Sequence, residues 1–259
     1  MDFRPFLLVG FAFTAGAAPA QAPSPGGYLS PDRAPDTARI LQAAPAPNSA
    51  RAAADRAIFR ATRALKDTPR WKLAQNDVSE TILSTLADFS CATRARLSEA
   101  SAPKLASLLH RLRFDVIAAV NGPKNLYRRQ RPYLIDKGDI CVDKTLSLAA
   151  SPDYPSGHTT WSWAVGLVLA EVDPDRAAEV LSRARAYGES RVVCGVHNAS
   201  AIEAGRTDAS ALVAALHGDA AFRADLDGAR AEMAALRASG PPDAGACSAE
   251  AALTANSPW

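Results

Sequence analysis

From Ser49 onward the apolar residues of this chain recur every three or four positions, and nowhere do they alternate in twos over a sustained run. Recurrence at three and four lays an apolar stripe along one face of a helix, whereas a half-buried strand needs the two-residue repeat. A chain patterned this way has to bury helix against helix, which predicts an all-α fold built as a single compact helical domain. Local signals place several helices. Asp77-Val-Ser-Glu80 has the form of a capping box, and Val78, Ile82, Leu86 and Phe89 follow on one face. Ser101-Ala-Pro103 opens another helix, with Leu105, Leu108, Leu109 and Leu112 on its apolar side. Asp173-Pro174 starts a third with proline in the first turn, and Gly188 is its expected stop. Residues 219–238 mix charge with alanine, the pattern of a solvated surface helix.

Size and charge limit the functions open to such a fold. At 259 residues and 48% hydrophobic the chain can bury one core of ordinary size. A net charge of +2 calls for neither nucleic acid nor an anionic membrane as partner, so any strongly cationic site has to be local. The start reads as a processing signal: a head at Met1-Asp-Phe-Arg4, an apolar core beginning at Phe6, and the small-x-small pattern Ala20-Gln21-Ala22. The apolar run is short for a membrane span, and no cysteine follows to carry a lipid anchor, so cleavage after Ala22 is expected. The expected organisation is a cleaved signal over residues 1–22, a Pro/Ala-rich arm over 23–48, a helical domain over 49–239 and an irregular tail over 240–259. The arm is either laid over the core or left unstructured. The mature protein is expected to be exported, periplasmic or secreted, and free of the membrane. Cys91, Cys141, Cys194 and Cys247 lack metal-ligand spacing; in an oxidising compartment they suggest two disulfides, with three pairings open.

Three stretches carry chemistry. Lys124 and Arg131 lie seven residues apart in KNLYRRQRP, close to two helical turns, so both would point the same way until Pro132 ends the helix. Two cations on one face can hold a doubly charged anion, and arginine offers a planar fork to phosphate oxygens. Alone, the run reads as a solvated basic face, since Arg128 and Arg129 share it. The stretch DYPSGHTT, Asp153 to Thr160, turns at Pro155-Ser156-Gly157 and feeds an apolar segment from Trp161 to Ala170. Amides at a helix start face an anion; Gly157 lets the backbone approach, Ser156 adds a hydroxyl, and His158 is placed to pass a proton to a leaving group. In GESRVVCGVH, Arg191 is a further fork and His197 sits in an apolar setting. Two of the four histidines fall in these motifs. Trp161, Trp163 and Tyr154 flank the turn and read more readily as core than as a surface for the leaving group.

Taken in order, K-x6-R-P, P-S-G-H and S-R-x5-H resemble the signature of the type 2 phosphatidic acid phosphatase and vanadium haloperoxidase superfamily. Tyr28-Leu-Ser-Pro31, Leu167 to Glu171, Gly188 to Gly195 and Ala204-Gly-Arg206 look like the class A bacterial non-specific acid phosphatases, and the likeness runs from about Tyr28 to Ala238. The resemblance implies a phosphomonoesterase with no metal or other cofactor, acting on small phosphomonoesters and releasing inorganic phosphate. By position it implies that Lys124, Arg131, Arg191, Ser156 and the Gly157 amide hold the phosphoryl oxygens. His197 would attack phosphorus, and His158 would protonate the leaving alcohol and then activate water. An acidic optimum would follow from a protonated His158. Vanadate and tungstate would inhibit as phosphate mimics. The resemblance also pairs Cys141 with Cys194, which leaves Cys91 with Cys247. A homodimer is permitted without being required.

One position departs. The class continues S-R-x5-H-x3-D, and here Ala201 stands where the aspartate is expected. On a helix that carboxylate would lie one turn from His197 and fix its tautomer. Spoiling the corresponding role in the serine-protease triad costs roughly ten-thousand-fold. Three readings stay open: an active enzyme in which Ser200, a backbone carbonyl or water orients His197; substitution by Glu203; or a phosphate-binding protein without turnover. A vanadate-dependent haloperoxidase is a remoter alternative.

Overall fold

The structure, a computed structural model, describes residues 26–237 and 242–259. The expected signal peptide and its cleavage site lie outside them. Among the described residues eleven α-helices follow in chain order: α1 Thr37–Ile40, α2 Ala50–Thr62, α3 Pro69–Asn76, α4 Ile82–Thr93, α5 Pro103–Tyr127, α6 Leu146–Ala150, α7 Gly157–Val172, α8 Ala177–Val193, α9 Ala199–Leu216, α10 Ala220–Leu236 and α11 Ala244–Thr254. No strand occurs among them, in keeping with the apolar periodicity.

The centre is α7. Trp161, Ala164, Val165, Val168, Leu169 and Val172 are all buried, as expected for a helix surrounded by others rather than lying on a surface. Helices α5, α8, α9 and α10 pack around it. The leucines of α5 and the Phe222, Leu226 and Met233 face of α10 complete the main core, so α10 is half-buried rather than solvated throughout. Residues 26–48 lie over this bundle. The Tyr28 and Leu29 amides donate to Asp115 of α5 at 2.8 and 3.0 Å, and the Tyr28 hydroxyl donates to Asp225 of α10 at 2.8 Å.

Four local features depart from the sequence expectation. Thr81 caps α4, accepting from the Ser84 amide at 3.1 Å. Asp77 instead closes α3 and turns inward to buried Arg183 at 2.6 Å. Helix α5 ends at Tyr127, with Arg128 in the left-handed region at φ 45°, so Lys124 and Arg131 do not share a helix face. Helix α8 runs through Gly188 to Val193; a Cβ on Gly188 would lie 2.8 Å from Thr159 Cγ2, so this glycine permits close approach of α7 rather than ending a helix. The tail carries α11 instead of being irregular throughout. Asp243 accepts from the Ala246 amide at 2.7 Å, the run that follows is rich in alanine, and a Cys91–Cys247 disulfide ties it to α4. The second disulfide joins Cys141 and Cys194.

Candidate active site

The three motifs converge at the N-terminal end of α7. Lys124 comes from the last turn of α5, and its Nζ donates to the Pro152 carbonyl at 2.8 Å. Arg131 follows in extended backbone and reaches back. Its Nε donates to the Ser151 carbonyl at 2.7 Å, Nη1 to the Val196 carbonyl at 2.8 Å and Nη2 to Ser151 Oγ at 3.2 Å. Tertiary packing, not helix register, brings these two cations together. Arg191 projects from α8 and is 3% exposed, yet its Nε and Nη1 have no hydrogen-bond partner. Buried donors without acceptors are costly; beside other cations they are the arrangement that an oxyanion satisfies.

Past Val193 the chain wraps back on itself. Gly195 adopts φ 80°, open to glycine at little cost, and the Val196 and His197 amides both return to the Arg191 carbonyl, at 3.1 and 3.2 Å. Arg63 donates to the Val192 and Val193 carbonyls at 2.8 and 2.7 Å, and the disulfide at Cys194 pins the turn to Cys141. His197 is thereby delivered, 2% exposed, into the cationic cluster.

The PSGH turn begins with a cis Tyr154–Pro155 bond. Ser156 is the N-cap of α7: its Oγ accepts from the Thr159 amide at 3.4 Å and hydroxyl at 3.0 Å, and its own amide donates to the Ala201 carbonyl of α9 at 3.0 Å. Gly157 and His158 open the helix, and their amides have no acceptor within it. A Cβ on Gly157 would meet only Val120 Cγ1, at 3.6 Å, so packing within the protein does not call for glycine there.

Arginine has only donors, so the 3.1 Å contact between Arg131 Nη1 and His197 Nε2 makes Nε2 the acceptor. The ring proton then lies on Nδ1, which faces the Asp153 carbonyl at 2.7 Å and Asp153 Oδ1 at 3.0 Å. Enclosure first, then Arg131, Lys124 and Arg191, hold the His197 pKa well below its ordinary value. The result is a neutral imidazole with its lone pair turned toward cations, a form suited to attack on a bound phosphoryl group. Burial pushes Lys124 down to about 8 and Arg131 down to about 10, with neighbouring arginines adding to the effect.

His158 is held differently. The Val78 carbonyl accepts from Nε2 at 3.1 Å, which leaves Nδ1 as the nitrogen that exchanges a proton. Glu80 Oε2 lies 3.4 Å from Nδ1 and is gripped by Arg113 at 3.3 Å. Enclosure and then Arg191 press the His158 pKa well below its ordinary value, while burial raises that of Glu80. The 77–80 segment that carries these partners is anchored by the buried Asp77–Arg183 pair and by the Tyr187 hydroxyl donating to the Ser79 carbonyl at 2.7 Å.

The expectation built around Ala201 needs correcting. His197 precedes α9, whose N-cap is Asn198, so a helical four-residue spacing does not relate it to position 201. Ala201 is buried against Leu41 and Tyr154. Ser200 Oγ is taken by Asp55 at 2.5 Å and Arg129 at 2.7 Å, and Glu203 is exposed in a pair with Arg51. Neither orients His197. The backbone carbonyl does, together with a carboxylate that sequence reasoning missed, both belonging to Asp153. That acid stands immediately ahead of the turn, but nothing in its spacing from His197 marks it. Trp161 donates to Thr85 Oγ1 at 3.0 Å, Trp163 to Ser210 Oγ at 3.2 Å and Tyr154 to the Gln42 carbonyl at 2.8 Å, so all three polar tips are spent within the fold.

The PAP2 superfamily profile matches residues 105–221. An acid phosphatase of Zymomonas mobilis subsp. mobilis is 41% identical over 203 residues, covering 77% of this chain and 77% of that protein. A non-specific acid phosphatase of Providencia stuartii is 33% identical over 212 residues, covering 81% of this chain and 86% of its own. One from Salmonella typhi is 32% identical over 172 residues, covering 66% and 69%. No helix among the described residues is long and apolar enough to cross a membrane.

Proposed function

Because the chain belongs to the acid phosphatases of the PAP2 superfamily and is a phosphomonoester hydrolase, we propose that it works after export and through a phosphohistidine on His197, without a metal ion. The main support is the neutral His197 ring, its Nε2 lone pair turned to Arg131, beside an Arg191 guanidinium with two unpartnered buried nitrogens. Lys124, Arg131, Arg191, Ser156 and the α7 amides bind the phosphoryl oxygens and spread their charge, the main device available for phosphoryl transfer. Nε2 of His197 attacks phosphorus, and the ester P–O bond breaks as His158 Nδ1 gives its proton to the leaving alcohol. Water then attacks the phosphohistidine, His158 Nδ1 takes back a proton, and phosphate departs with His197 Nε2 again accepting from Arg131.

The depressed His158 pKa bears on this cycle. Arg191 and Arg131 oppose the imidazolium, and a phosphoryl dianion held by those same arginines offsets them. Substrate binding therefore raises the His158 pKa, and acidic solution favours the protonated acid, which gives an acidic optimum. The test is hydrolysis of p-nitrophenyl phosphate across acidic and neutral pH in EDTA, with a rapid quench into alkali to trap labelled phosphohistidine. Turnover in EDTA with trapped label, both abolished in His197→Ala, is expected; turnover that survives His197→Ala sinks the mechanism. Vanadate and tungstate should inhibit, and Arg191→Ala should weaken both by about a hundred-fold. Export is checked separately: the mature protein should be recovered outside the cytoplasm beginning at Pro23.

A further inference from the structure

We propose that Asp153 is the positioning residue for His197, supplying from the turn ahead of α7 the carboxylate that position 201 lacks. The inference rests on His197 being the phosphoryl acceptor. Asp153 and His197 are 0% and 2% exposed, and the Asp153 carbonyl and its Oδ1 face the same ring nitrogen. Its Oδ1 also accepts from the Asn198 amide at 3.0 Å, and Oδ2 accepts from Asn198 Nδ2 at 2.8 Å and faces Arg129 Nη1 at 3.4 Å. Every group bonded to the carboxylate is a donor. The Asp153 amide in turn donates to the Arg129 carbonyl at 2.8 Å, so the residue is held at both main chain and side chain.

The tautomer of His197 is already chosen twice, by Arg131 at Nε2 and by the Asp153 carbonyl at Nδ1. What the carboxylate adds is charge. As Nε2 forms its bond to phosphorus and the ester oxygen leaves with the bonding pair, the Nδ1 proton stays in place and the ring becomes a cationic N-phosphorylimidazolium. That cation forms within a cluster that already contains Lys124, Arg131 and Arg191. Burial raises the Asp153 pKa, while Arg129, the Asn198 donors and Arg131 oppose that rise. With donors on both oxygens it is, in its ionised form, the anion in contact with the ring, and its stabilisation is realised in the transition state more than in the bound substrate.

The test compares the full chain with Asp153→Asn, which keeps the shape and an acceptor for the Asn198 amide but removes the charge. The expected loss in kcat is about 30- to 300-fold. It is smaller than the roughly ten-thousand-fold of a triad that also loses its tautomer, and comparable to deleting one transition-state contact. KM and the inhibition constant for inorganic phosphate should stay within about threefold, because the contacts that bind the anion are untouched. A kcat within threefold of the parent overturns the proposal. So does a parallel fall in kcat, phosphate affinity and thermal midpoint, the signature of a merely structural role. An independent readout is the low-field proton resonance of His197 Nδ1, assigned by its loss in His197→Ala. It should move upfield in Asp153→Asn, and an unmoved resonance overturns the proposal. If the parent shows no turnover, the phosphohistidine reading fails, and the resonance alone decides whether Asp153 positions the ring.

Discussion

Gly205→Ala puts a number on how tightly the turn ahead of α7 is wedged. An added Cβ would lie 2.8 Å from the Ser156 carbonyl oxygen, 2.9 Å from Thr159 Cβ and 3.2 Å from the Thr160 amide nitrogen. Two of those three atoms are backbone, so no side chain can swing away. Restoring ordinary contact needs about 0.6 Å of extra separation between α9 and the start of α7 in an interior packed with little free volume. The Ser156 amide bond to the Ala201 carbonyl, 3.0 Å long, spans the same contact and stretches with it. Overpacking of this kind costs about 1–3 kcal/mol, and replacing a mid-helix glycine by alanine returns about 1 kcal/mol. The expected net loss is about 0–2 kcal/mol in urea unfolding. The kinetic effect is clearer: a misplacement of about 1 Å costs on the order of a hundred-fold, so kcat on p-nitrophenyl phosphate should fall about tenfold. Gly157→Ala is the counterpart, with room for its Cβ at 3.6 Å from Val120. It should leave stability within about 0.5 kcal/mol while weakening phosphate binding at the α7 amides. A stabilised Gly205→Ala with unchanged kcat would refute the close approach.

Two further outcomes follow from buried titratable groups, and a third from the packing of Ala201. Burial raises the Asp88 carboxyl to about 7 and leaves its Oδ2 without a partner. Its protonated folded form adds stability that is complete below the unfolded carboxylate pKa and lost as pH rises through about 7, so Asp88→Asn should stabilise the protein more in mildly alkaline than in acidic urea titrations. The opposite sign holds for His158, whose folded pKa is depressed. Below the unfolded histidine pKa the unfolded chain takes up a proton that the folded chain refuses, so stability falls with falling pH. His158→Gln should remove up to about 1.4 kcal/mol of that loss per pH unit, and identical pH slopes for parent and variant would count against the assignment. Ala201→Asp should not raise kcat, because Ala201 packs against Leu41 and Tyr154 and Nδ1 of His197 is already engaged. A tenfold gain would show instead that position 201 can reach the ring.

Much of this protein was legible before folding. The three- and four-residue apolar recurrence required helices, because that periodicity is a property of each turn of chain. The three motifs, taken in order, resembled a phosphatase signature, and their cations and imidazoles are residue types that such chemistry can use wherever the backbone takes them. Local punctuation was less faithful. Asp77 looked like a cap but serves Arg183, and Gly188 looked like a stop but admits Thr159, since both signals lose to the burial of a neighbour. The assembly of the site belonged wholly to the tertiary structure. Lys124 and Arg131 meet across a helix end rather than along a helix face. The carboxylate sought at position 201 is at Asp153, 44 residues before the histidine it holds. Spacing encodes only what lies within a few residues of the same element. A hydrogen bond between two loops is settled by how α7, α8 and α9 pack, and no periodicity in the chain records it.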